Sequence, residues 1–119
     1  MGPLTQNFTM VTGDTKILNV SIKDPAGKVV NILGYSIIWA LKTSVGNSST
    51  LIKKTIYDGI SVTNGAGGIF QIRLESSDTE GMKPAVYYHE CEITDSAGNI
   101  STVFTGRVSL IEDGIWHRG

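Results

Sequence analysis

The chain reads as an all-β domain, an antiparallel two-sheet sandwich of seven to nine strands. Three observations predict it. Large apolar and polar side chains alternate with period two through residues 69–74, 87–94 and 100–106, so each segment buries one face and wets the other. Turn signals recur between the segments, among them Asp58-Gly59, Asn64-Gly65 and Ala97-Gly98-Asn99. Fourteen glycines against three prolines suit a chain that reverses direction often.

The elements follow in order. Residues 6–11 make a first short strand, closed by Thr12-Gly13-Asp14. Residues 15–23 make a second, with Leu18, Val20 and Ile22 on its buried face. Asp24-Pro25-Ala26-Gly27-Lys28 is a turn: Pro pre-sets φ, and Gly accepts the left-handed region that closes it. Residues 29–33 are a short extension leading to Gly34. Residues 35–42 form the central strand, with Ile37, Trp39 and Leu41 on one face and Ile38 and Ala40 on the other. Burying Trp39, the largest apolar unit, helps to fix how the layers pack. After a polar loop, residues 50–57 form a strand with an exposed Lys53-Lys54 pair, where charge guards an edge. Ile60 and Val62 lie between two turns, and the chain returns through residues 69–74.

Residues 75–82 break the rhythm. Ser77-Asp78-Thr79-Glu80 is expected to cap one helical turn that crosses from one sheet to the other. Residues 85–94 and 100–112 form the last two long strands, joined at Asp95-Ser96-Ala97-Gly98-Asn99. Gly106, inside the last strand, marks a bulge or a close backbone contact. The expected interior joins Leu18, Trp39, Phe70 and Cys91. Residues 1–113 then form the sandwich and residues 114–119 a C-terminal arm.

Composition excludes several classes. Ten basic and eleven acidic residues give a net charge of -1. No basic block exists to neutralise a phosphate backbone, so nucleic acid is not an expected partner. No apolar run approaches the roughly 20 residues that span a bilayer, so no membrane is expected. The first residues lack the charged and apolar regions of a secretory signal. Asn7, Asn19, Asn47 and Asn99 head glycosylation sequons, read as chance products of a Thr/Ser/Asn-rich β sequence. The single Cys91 has no intramolecular partner and reads as a small buried hydrophobe.

Candidate catalytic groups are few. His89 and Cys91 share one strand face, but a structural zinc wants four ligands and a catalytic one three. His117, in the tail, would have to fold back. Glu90 and Glu92 sit about 7 Å apart by strand rise, a spacing that also describes a plain wet strand face. No nucleophile elbow, P-loop, dinucleotide fingerprint or calcium loop appears. The expectation is a protein that is not an enzyme and carries no cofactor or metal.

Several pieces occur together: Thr12-Gly13-Asp14-Thr15, Asp24-Pro25-Ala26-Gly27-Lys28-Val29-Val30 and Ile37-Ile38-Trp39-Ala40-Leu41-Lys42. Then come Gly67-Gly68-Ile69-Phe70, Asp78-Thr79, Tyr87-Tyr88-His89-Glu90-Cys91-Glu92-Ile93-Thr94-Asp95, Gly98-Asn99, Ser101-Thr102-Val103 and Gly106. Over residues 5–113 this resembles the small immunoglobulin-like β-sandwich modules of tailed bacteriophages, similar to the N-terminal domain of baseplate upper proteins. The resemblance implies an immunoglobulin-like fold and a non-enzymatic virion structural protein. Its role would be attachment, adaptor or decoration in tail, baseplate, neck or capsid, after synthesis in a bacterial cytoplasm. Its partners would be other virion proteins, with any homo-oligomer set by virion symmetry. Such modules are often fused to a larger fibre or receptor-binding region. Here the module stands alone, which moves the expectation towards a separate adaptor or decoration protein. In the arm, Ile115, Trp116 and Arg118 are the expected partner contacts, since a projecting aromatic is a common anchor. The alternative is Trp116 folding back onto its own domain. The rival function is adhesion to host glycans through exposed Tyr35, Tyr57 or Tyr88.

Overall fold

Nine strands and one helical turn, in a computed structural model describing residues 4–44 and 50–112, bear out the all-β expectation. In chain order they are β1 (Leu4–Thr5), β2 (Phe8–Val11), β3 (Lys16–Ser21), β4 (Ser36–Lys42), β5 (Thr50–Ile56), β6 (Gly59–Asn64) and β7 (Ile69–Leu74). Then follow α1 (Ser76–Thr79), β8 (Ala85–Thr94) and β9 (Ile100–Ile111). Hydrogen bonds join them into one curled mixed sheet, a half-barrel ordered β1-β9-β8-β4-β5-β6-β7-β3, with β2 also on β9.

The sheet is mixed, not purely antiparallel as expected. β1 and β2 run parallel to β9 in a single register, Leu4 opposite Phe104 and Phe8 opposite Val108. They are one edge strand interrupted at Gln6-Asn7. There the Gln6 N–H donates to the Thr105 carbonyl (2.8 Å), and Asn7 Oδ1 accepts the Arg107 N–H (2.8 Å). Gly106 makes this approach possible: a Cβ on it would lie 1.8 Å from the Gln6 carbonyl oxygen. The close contact expected at Gly106 is therefore present. The bulge lies elsewhere, at Val103, where the β8–β9 register shifts between Cys91/Phe104 and Glu92/Thr102. A second parallel contact, Thr55–Ile56 beside Gly59–Ile60, links β5 to β6.

The curl encloses the core. Ile37, Trp39 and Leu41 of β4 lie at 0–1% exposure, as alternation predicted, and meet Phe70, Ile72 and Leu74 of β7. Cys91, Phe104, Val108 and Leu110 complete it from β8 and β9, and Met10 from β2. Leu18 and Val20 are only half-buried, against expectation, although Ile22 is buried. β3 ends the strand path, so its side chains sit at the rim and pack on the core from one side only.

The short extension of residues 29–33 is held by a single bridge that pairs Lys23 with Val29, and by the Ile32 N–H, which donates to the Gly65 carbonyl. One further correction follows from local geometry. The Lys53-Lys54 pair is not exposed together, because neighbours on a strand point to opposite faces. Lys53 is exposed, while Lys54 turns inward and pairs with Asp78 at 2.8 Å.

The expected helical turn is present as α1, but it links β7 to β8 within one sheet and does not cross between two. Asp78 Oδ2 accepts the Glu75 N–H (2.7 Å), and buried Thr79 Oγ1 accepts the Gly13 N–H (2.9 Å). The two Asp-x-Ala-Gly turns share one mechanism. Asp24 Oδ1 accepts the N–H groups of Ala26 and Lys28, and Asp95 Oδ1 those of Ala97 and Asn99. Hydrogen bonds from the Asn99 backbone and amide, then from Ala97 and Gly98, hold the Asp95 carboxyl below its ordinary range.

Candidate functional site

The long β8 places chemistry on two sides of one strand. Its inward residues are Tyr87, His89, Cys91 and Ile93; its outward ones include Tyr88, Glu90 and Glu92. β9 flanks the strand along its length and β4 flanks it from Tyr88 to Thr94, which fixes both rows.

Inside, His89 is buried among Phe8, Trp39 and Phe104, with ring centroids 5.1–5.9 Å away. The indole of Trp39 donates its Nε1–H to His89 Nδ1 at 3.0 Å. An indole nitrogen can only donate, so Nδ1 must be the acceptor. His89 Nε2–H therefore donates to the Gln6 carbonyl. One tautomer of the neutral ring thus joins the central strand to the N-terminal edge strand.

Burial pushes the His89 pKa below its ordinary value, and the Gln6 carbonyl opposes this only in part. The unfolded chain titrates this residue at about 6.5. Below that pH the unfolded chain binds a proton that the folded chain resists, so protons favour unfolding. Stability from this group is complete above about 6.5 and falls as pH drops towards the lowered folded value. Urea unfolding between pH 7.5 and 5 (roughly the imidazole window) is expected to show this decline, with a flatter profile in His89→Gln. Parallel profiles for the two proteins would contradict the assignment.

Cys91 shares the inward row with no exposed surface. Burial, then the nearby Glu92 charge, pushes its thiol up to about 12, so it is not a thiolate at neutral pH. His89 and Cys91 are thus brought together as core groups. Among the described residues no three His, Cys, Asp or Glu side chains gather as a metal centre would need.

Outside, a groove of about 420 Å³ runs over β4, β8, β9 and the N-terminal edge strand. Register pairs set its floor: Lys42 lies opposite Tyr88, and Tyr88 opposite Arg107. Glu90 is not half of a carboxylate couple but the partner of Lys42, Nζ to Oε1 at 2.7 Å. Both are partly exposed, so the pair adds little stability but neutralises both charges locally.

A second groove, about 360 Å³, lies between the N-terminal edge strand and β3, lined by Phe8, Ile17, Leu18, Val20 and Phe104. It is the open seam of the half-barrel.

The three tyrosines proposed for sugar contact do not converge. Tyr35 precedes β4 and packs against the core, whereas Tyr88 lies beside Lys42 at the far end of that strand, about 20 Å away by strand rise. Tyr57 is fully exposed at the β5–β6 corner with φ 69°. The expected partner contacts Ile115, Trp116 and Arg118 lie outside the described residues. The Tyr88–Arg107 groove was not foreseen as a unit, since its strands are far apart in sequence. Outward-facing Tyr88 was the one signal of it. No family model and no curated protein matches the chain.

Proposed function

We propose that the chain is a non-enzymatic structural protein of a bacteriophage virion. It would act as an attachment, adaptor or decoration module of tail, baseplate, neck or capsid, built as an immunoglobulin-like sandwich. The observation that carries the reading is strand order. The path contains β3-β7-β6 and β4-β8-β9, joined through β5 in one curled sheet; such sandwiches place two groups of this kind in separate layers, which supports the reading. Two details agree with it. A buried Trp stands on β4, and Tyr87, near the start of β8, bonds back through its hydroxyl to the Lys83 carbonyl at 2.7 Å. The inter-sheet disulfide of antibody domains has no counterpart, Cys91 being the single cysteine.

The mechanism is mechanical. A rigid body presents the outer edge of β3, whose backbone groups can pair with a neighbour's strand. The arm with Ile115, Trp116 and Arg118 adds an anchor. Copies repeated by virion symmetry make weak single contacts additive.

Deleting residues 115–119 is expected to leave thermal unfolding unchanged while lowering the copies per particle several-fold. Quantitative mass spectrometry of purified particles reads both numbers of copies. Equal incorporation of the truncated chain would remove the anchor, and particles lacking the full-length chain would remove the function.

A further inference from the structure

We propose that the outer groove over Tyr88 and Arg107 binds a saccharide bearing a single acidic group, a carboxylate or a phosphate monoester. The sugar ring lies against Tyr88 and its acidic group is held by Arg107. This is an activity beyond virion attachment and does not depend on it.

Cross-strand neighbours on one sheet face have Cβ atoms about 5 Å apart, so Lys42, Tyr88 and Arg107 form a row with the aromatic between two cations. The next row sets Glu90 beside Thr105. The groove, about 420 Å³, falls in the range of small-ligand sites. It is built largely on strands, which hold side chains more exactly than loops do.

Charge then selects the ligand. Lys42 and Glu90 cancel each other through their 2.7 Å ion pair. Arg107 has no ion-pair partner among the described residues, so the groove carries one uncompensated positive charge. A guanidinium matches a carboxylate or phosphate in a two-point fork. One such cation fits a single acidic group and not a polyphosphate. Asn7 sharpens the site. Its Oδ1 is spent on the Arg107 N–H, which orients its amide nitrogen as a donor at the rim. Glu90 and Thr105 add acceptors and a hydroxyl, a mixture that suits a ring carrying several hydroxyls. Tyr88 supplies the flat apolar surface on which such a ring rests.

The test uses the full chain and two matched pairs of probes, sialyllactose against lactose and a hexose phosphate against the free hexose. The first pair reports a carboxylate source and the second a phosphate source. Each probe is titrated by NMR to about 10 mM, where a complex with Kd ~1 mM is close to saturation. At least one acidic sugar is expected to bind saturably and at least tenfold tighter than its neutral counterpart. Its shift changes should centre on Tyr88, Arg107 and Asn7. Tyr88→Ala and Arg107→Gln should each weaken binding tenfold or more, while Tyr57→Ala leaves it unchanged. No binding by either acidic probe would overturn the proposal. So would equal affinity for charged and neutral sugars, or shift changes in the parent chain away from the groove. The last readout needs no variant, so a poorly folding mutant cannot shelter the idea. Failure here would leave particle incorporation untouched, and loss of incorporation would leave sugar binding untouched.

Discussion

Trp39→Ala is expected to cost about 4 kcal/mol of folding stability, the largest effect of any single truncation in this core. Trp39 has no exposed surface and stands at the centre of β4, between Lys54 on β5 and Cys91 on β8. Its removal leaves a cavity that rigid neighbouring strands cannot close. It also strips His89 Nδ1 of its donor, leaving a buried acceptor unpaired. Trp39→Phe separates the two terms, because it keeps an aromatic body and loses only the indole N–H and some volume. About 2 kcal/mol is expected for it. Denaturant titrations of both variants measure the two losses. A Phe variant as stable as the parent would show that the Trp39–His89 bond contributes nothing.

Lys54→Met is expected to cost about 2–3 kcal/mol, somewhat under the usual loss for breaking a buried pair because both side chains keep some exposure. Lys54 and Asp78 retain 11% and 20% of their side-chain surface, and their atoms meet at 2.8 Å. The pair ties β5 to the turn that carries the chain from β7 to β8. The aliphatic stem of Lys54 lies over Gly59, where an added Cβ would sit 2.4 Å from its Cδ. Met preserves that apolar stem and removes the ammonium, so the loss reports the charge. In a double-mutant cycle with Asp78→Asn, the two changes are expected to be strongly non-additive. Additive losses would mean that the pair is a surface contact drawn close by chance.

Period-two alternation made the core rows legible. Ile37, Trp39 and Leu41 face inward as it required, as do Phe70, Ile72, Tyr87, Cys91 and Ile93. Turn chemistry was equally local, and Asp24 and Asp95 act as their residue types imply. What alternation cannot supply is which strands lie side by side. The parallel edge strand pairs residues one hundred positions apart, Leu4 with Phe104, and nothing near either announces it. Alternation requires one of Lys53 and Lys54 to turn inward; what stayed hidden was the partner of Lys54, since Asp78 lies on a distant helical turn. Leu18 and Val20 have the pattern of buried residues, and only their place at the end of the strand path leaves them half-exposed. The groove around Tyr88 joins four strands, so it exists only after the sheet has formed. The functional reading rests instead on motif order and on strand order, which inform about architecture before they inform about role.

Electron cryo-microscopy of intact particles tests that role most directly. Density for this all-β body is expected at a repeated position in tail, baseplate, neck or capsid, with the β3 edge or residues 114–119 against a neighbour. Complete particles with no such density, and the chain recovered only free in the lysate, would contradict it.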